Sequence, residues 1–323
     1  MATYKGIQGF SIQNLSADPS NPLEGQVWYN STSNVWKVEE ATTVGAWATG
    51  NNLNTARRLL AGAGTQTEAL VFGGIISATP TGATEEYDGN SWTTSNPLNT
   101  ARRGLAGCGT QTSALAFGGE APPPTGATEE YDGSSWATSP GSLNTARGFL
   151  AGAGTQTAGL AFGGYTGSPT GATEEYDGTS WTSNPTGLNT ARYALAGCGT
   201  QTAGLAFGGE PTTGATEEYD GSTWTSNPTG LNTARFASAG AGTQTAGLAF
   251  GGSIPPGTGA TEEYDGSTWT SNPTGLNTAR SELAGAGTQT AALAAGGFIP
   301  AATGATEEWT GSGVALTKTV TVS

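Results

Sequence analysis

Six arginines recur at matched places along this chain: Arg57, Arg102, Arg147, Arg192, Arg235 and Arg280. Six Glu-Glu pairs accompany them, from Glu85-Glu86 to Glu307-Glu308. The arginines can form a cationic ring that holds a carboxylate or sulfate. Alternatively, each can pair with a glutamate or cap backbone carbonyls as a structural ring, and the matching number of acids favours this second reading. The Glu pairs invite comparison with catalytic carboxylates or calcium ligands. Neighbours on a strand, however, point to opposite faces of the sheet, and acid–base catalysis needs two groups whose environments separate their pKa values. Six copies of one environment do not provide that. One Glu of each pair is therefore expected beside Arg and the other in solvent.

Other catalytic chemistry is scarce. The chain has no His, which removes imidazole acid–base chemistry, Ser-His-Asp triads and His-ligated metals. Two cysteines, Cys108 and Cys198, cannot build a disulfide framework or a four-Cys zinc site. Both stand where the other repeats carry Ala, and they read as small buried side chains. The expectation is a non-enzyme without metal or cofactor.

The elements that position these residues follow from repetition. LNTAR begins at Leu53, Leu98, Leu143, Leu188, Leu231 and Leu276, at steps of 45, 45, 45, 43 and 45 residues. Each unit continues through a small-residue stretch, a Gly-Gly doublet, a variable loop, TGATEEYDG or a close variant, and in five units a Trp. With 53 glycines and many threonines, helix is disfavoured, and the Asp-Gly before each Trp marks a tight hairpin. Four strands per unit are predicted. Strand one follows the Arg, strand two ends in Phe-Gly-Gly, strand three is ATEEY and strand four carries the Trp. Small residues on strands one and two suit a crowded axis, and Tyr and Trp fill the wider periphery.

The doublet Gly208-Gly209, then Tyr219, Trp224 and Arg235, resembles the kelch repeat, with equivalents across residues 47–309. The resemblance implies an all-β, six-bladed β-propeller with four-stranded blades, but little about function. Kelch-type proteins include a copper oxidase, whose metal requires His; that activity is excluded here. The sixth unit has Trp309 at the Tyr position and lacks the following Trp, whereas Trp47 stands unpaired before the first LNTAR. The strand around Trp47 is expected to close the ring, with Val314–Val322 as the alternative.

Residues 1–40 lie outside the repeat, 41–313 form the propeller, and 314–323 read as a C-terminal strand. Val27-Trp28-Tyr29 and Val35-Trp36-Lys37-Val38 flank a polar NSTSN and predict a β-hairpin. This segment resembles a hairpin element of phage tail-fibre and other virion proteins, and the near-identical repeats resemble kelch-type proteins of marine phages. The resemblance implies a non-enzymatic virion structural protein, a tail fibre, head fibre or decoration, made in the host cytoplasm without a signal peptide. Its partners would be other virion proteins through the N-terminal segment, and a host-surface glycan or protein. A carbohydrate-active enzyme and an intracellular scaffold are the competing readings. A net charge of −14, with 25 acids against 11 bases, opposes nucleic-acid binding, and no apolar run is long enough to span a bilayer.

The repeats disagree with one another in two places. One is the loop after Gly-Gly, which carries Ile75-Ile76, Glu120, Tyr165, Glu210, Ile254 and Phe298. The other follows the ring Arg: Arg58-Leu59, Arg103-Gly104, Gly148-Phe149, Tyr193, Phe236 and Ser281-Glu282. Both are expected on one face, with exposed aromatics suited to adhesion and carbohydrate binding. The candidate ligand-binding residues are Arg58, Arg103, Phe149, Tyr165, Tyr193, Glu210, Phe236 and Phe298.

Overall fold

Strands here are short runs between turns built on Gly and Asp, with Ala and Gly alone in AGAG, small and large residues alternating in ALAF, and acids before an aromatic in TEEY. The computed structural model describes residues 13–19, 26–41, 44–255, 257–312 and 315–320, and among them there is no helix. The chain divides into two units, Met1–Gly45 with Gly311–Ser323, and Ala46–Thr310.

In the smaller unit one sheet runs in the order Gln13–Leu15, Val27–Asn30, Val35–Ala41, Ala315–Val320. The first pair is parallel and the others antiparallel. Asn30 Oδ1 accepts from the backbone of Thr32 and Ser33, each at 3.0 Å, which shapes the hairpin turn. Asp18 gathers Trp28 Nε1 at 3.0 Å, Asn30 Nδ2 at 2.7 Å and Lys37 Nζ at 2.5 Å. These donors, Lys37 foremost, lower its pKa to about 2.

Among the described residues, the larger unit holds six four-stranded antiparallel sheets, consistent with propeller-like blades. Sheet one comprises Ala61–Gly64, Ala69–Phe72, Thr84–Tyr87 and Trp92–Ser95. Sheets two to five repeat it, with strand one at Ala106–Gly109, Ala151–Thr155, Ala196–Thr200 and Ala239–Thr243. Sheet six takes Ala284–Gly287, Ala291–Ala295 and Thr306–Thr310 from its own repeat. Its fourth strand is Ala46–Gly50, which sets Trp47 opposite Trp309.

Among the described residues, no sheet of the larger unit has an apolar cluster of its own. Each apolar cluster joins two consecutive sheets: Leu70 and Phe72 of sheet one meet Ala114, Tyr131 and Trp136 of sheet two. One cluster joins Ala284 and Leu293 of sheet six to Ala69, Val71 and Trp92 of sheet one. Glycine on strand one is required by this packing. A Cβ on Gly107 would lie 2.4 Å from Phe72 Cζ, and one on Gly197 2.4 Å from Phe162 Cζ. The buried Trp is also tethered across the joint, as Trp136 Nε1 donates to Thr84 Oγ1 at 3.0 Å. The same bond recurs at all six joints, including Trp92 to Thr306 and Trp47 to Thr261.

Candidate functional site: a variable face around a hydrogen-bonded circuit

The LNTAR segment is a clasp between consecutive sheets. Leu98 N donates to Gly82 O of the preceding sheet at 2.9 Å. Asn99 N and Thr100 N then reach the Glu129 carboxylate of the following sheet at 2.6 and 3.2 Å, while Asn99 Nδ2 donates to Trp136 O at 2.8 Å. Arg102 completes the set with its guanidinium 3.2 Å from Glu129. All six ring arginines are fully buried, and each is ion-paired to the first Glu of its own repeat. They therefore lie beneath the surface and do not line a mouth. Burial lowers their pKa, to about 10 for Arg102, with Glu129 opposing the shift; this guanidinium remains charged at neutral pH.

The second Glu of each pair corrects the expectation that it stands in solvent. Glu86 is half-buried and accepts from Tyr131 Oη of the next sheet. Glu130 likewise accepts from Tyr176 at 2.6 Å and Glu308 from Tyr87 at 2.5 Å. The alternation does send the two carboxylates to opposite faces, but in five of the six pairs the neighbouring sheet's Tyr occupies the second face; Glu263, whose neighbouring sheet carries Trp309 at that position, accepts from Asn272 Nδ2 at 3.1 Å. Burial first, and the adjacent carboxylate second, push the Tyr131 and Tyr176 phenols up to about 12. Cys108 and Cys198 are free and buried, and burial pushes their thiols up to about 12.

Sequence reasoning missed two features. The first is the Gln of the TQT turn. Gln111 Nε2 donates to Ala69 O and Tyr87 O of the preceding sheet at 3.1 and 2.6 Å, and all six equivalents do the same, Gln66 reaching Ala292 and Trp309 of sheet six. Its identity in every repeat, within a GTQT turn that does not vary, was the available signal.

The second feature is a circuit of backbone hydrogen bonds. Gly104 N donates to Leu59 O, Phe149 N to Gly104 O, Ala194 N to Phe149 O, Ala237 N to Ala194 O, Glu282 N to Ala237 O, and Leu59 N to Glu282 O, all at 2.7–2.9 Å. All six residues have φ between +49° and +57°, although only one is Gly. Left-handed backbone costs a non-Gly residue roughly 1 kcal/mol, and each hydrogen bond returns a similar amount. Because five residue types occupy this position across six repeats, no residue preference betrays it.

The circuit residues and the next residue of each repeat line a cavity of about 90 Å³. That next residue is Leu in five repeats and Ser238 in the fifth, whose buried Oγ makes no hydrogen bond to the protein.

The two variable places meet around this mouth. Isolated bridges pair Arg58 with Ile75, Arg103 with Glu120, Gly148 with Tyr165, Tyr193 with Glu210, Phe236 with Ser253 and Ser281 with Phe298. The aromatics are half-buried, not exposed as expected, because they pack on their neighbours. Tyr165 and Tyr193 centroids lie 5.1 Å apart, and Phe149 meets Tyr193 edge-on at 6.3 Å. Elsewhere on the face Arg58 pairs with Glu282 at 2.5 Å and lies 4.7 Å from the Phe298 ring centroid, and Arg103 pairs with Glu120 at 3.0 Å. Glu210 accepts from Thr212 Oγ1 at 3.0 Å. Compared with known proteins, the chain matches no family model and no curated sequence.

Proposed function

We propose that the larger unit is a six-bladed, kelch-like propeller closed by Ala46–Gly50, and that it is a non-enzymatic adhesive module of a phage virion. Support for closure comes from the backbone circuit, which returns to its starting residue, and from the cluster joining sheet six to sheet one. The virion assignment rests on the likeness of the N-terminal hairpin and the repeats to phage fibre proteins. The smaller unit would attach the protein to other virion components.

The observation that carries the adhesive reading is the convergence of both variable places, in bridged pairs, on one face. Repeats that agree almost everywhere else differ here, and one sector gathers three aromatic rings. The acids of this face are individually engaged, Glu120 and Glu282 with arginines and Glu210 with Thr212. That arrangement favours binding over acid–base chemistry.

Offering the full chain to bacterial envelope polysaccharides tests the proposal. Saturable binding is expected, with glycan length unchanged and binding lost when Tyr165, Tyr193 and Phe236 are replaced by Ala. Shortened glycan would make it an enzyme. Mass spectrometry of purified particles should find the chain in the virion, and its absence would overturn that assignment.

A further inference from the structure

The chemistry of the ligand can be narrowed, on the footing of the adhesive reading. Residues 46–310 carry 21 acids against eight bases, a net charge of −13, and all eight bases are arginines. Every one of the eight is ion-paired: six buried with a glutamate of their own repeat, Arg58 with Glu282, and Arg103 with Glu120. An acidic sugar, sulfate or phosphate would have to break such a pair to obtain a cation, and would approach a negatively charged body to do so. Both are unfavourable.

We infer that the face binds an uncharged saccharide, off the axis, on the sector formed by Phe149, Tyr165, Tyr193 and Glu210. Aromatic rings offer rigid apolar area to the C–H faces of a sugar ring. Here they cluster on sheets three and four, whereas the sector of sheets one, two and six is closed by the Arg58–Glu282 and Arg103–Glu120 pairs. Glu210 is bridged to Tyr193 by the backbone, and its carboxylate stands close enough to help raise the Tyr193 phenol pKa, after burial. That places an acceptor for sugar hydroxyls at the edge of the aromatic cluster, where a neutral polyol gains hydrogen bonds and an anion meets repulsion.

Affinity electrophoresis of the full chain through gels containing neutral glucans, galactans and mannans, or acidic alginate, hyaluronate and carrageenan, decides the matter. The expected result is retardation by at least one neutral polymer that is little changed between low and high salt, since screening acts on charges. Tyr193→Ala should weaken it at least about tenfold, as for a central aromatic anchor, while Ile254→Ala, on an exposed variable loop outside the sector, should leave it unchanged. Retardation only by acidic polymers, abolished by salt, would overturn this inference and leave adhesion standing. Equal loss in Ile254→Ala would overturn the off-axis placement. Retardation by none would overturn the adhesive reading itself.

Discussion

The interior joints between sheets and the face around the mouth are built from the same repeat, yet they obey different rules. At the joints, Arg–Glu, Trp–Thr and Gln–carbonyl contacts recur six times with the same residue types. At the face, the circuit residue is Leu, Gly, Phe, Ala, Ala or Glu in turn. The joints bury charge and hydrogen-bonding groups, so any exchange leaves an uncompensated partner. The circuit uses only backbone N–H and C=O, which every one of those residues supplies. Side-chain chemistry on that face can therefore change without disturbing the frame, because the frame on that side is held by atoms that do not depend on residue type.

Breaking a joint should produce the largest effect. Arg192→Met leaves Glu217 buried without its 2.7 Å partner and should cost about 3–5 kcal/mol in urea unfolding, with part of the loss recovered in the double variant with Glu217→Gln, which removes the unpaired charge and keeps an acceptor for Asn189 N. A small loss for the single change would show that the pair is not truly dehydrated. Alkali provides a collective test of the same joints. The Tyr131 and Tyr176 phenols have folded pKa values of about 12 against a normal value of 10.0. Their contribution is thus complete below pH 10 and is lost as pH rises towards 12. Melting temperature followed across that window should fall, and less so in Tyr131→Phe, which cannot ionise.

Gln201→Ala removes donors to Gly159 O and Tyr176 O and should cost about 2 kcal/mol, although nothing else on its turn is touched. The mouth offers a change of opposite sign. Ser238 stands in a leucine position, and the nearest leucine carbon to a Cβ on Gly208 is Leu231 Cδ1 at 3.5 Å, whereas one on Gly163 meets Leu195 Cδ2 at 2.9 Å. Ser238→Leu should fill that space and stabilise by about 1 kcal/mol, read as a higher urea midpoint. Smallest of all, Tyr193→Ala should shift stability by about 0.5 kcal/mol. A joint-sized loss there would mean that the face is structural after all and would erase the contrast.

Legibility followed the same division. The strand assignment was readable because Phe-Gly-Gly, TEEY and the Asp-Gly turn are local signals: Asp88 Oδ1 accepts from Asn90 N and Ser91 N, and Gly89 has φ +87°. The second Glu was misplaced because alternation says which way a side chain points but not what the next sheet brings to meet it. The half-burial of Tyr165 and Tyr193 escaped for a like reason, since they come from successive repeats and pack only after the sheets are set side by side.

By itself, then, the order of residues determined the repeat, the strands and the pairing of arginines with glutamates in number, all matters of local propensity and periodicity. Tertiary structure alone decided that the arginines are sealed beneath the surface and that Gln and Tyr bind across joints. It also decided that six residues of five types adopt one left-handed conformation in a hydrogen-bonded circuit. These depend on atoms roughly 25 to 45 residues apart or more, brought together by packing between sheets, and no local preference encodes such contacts.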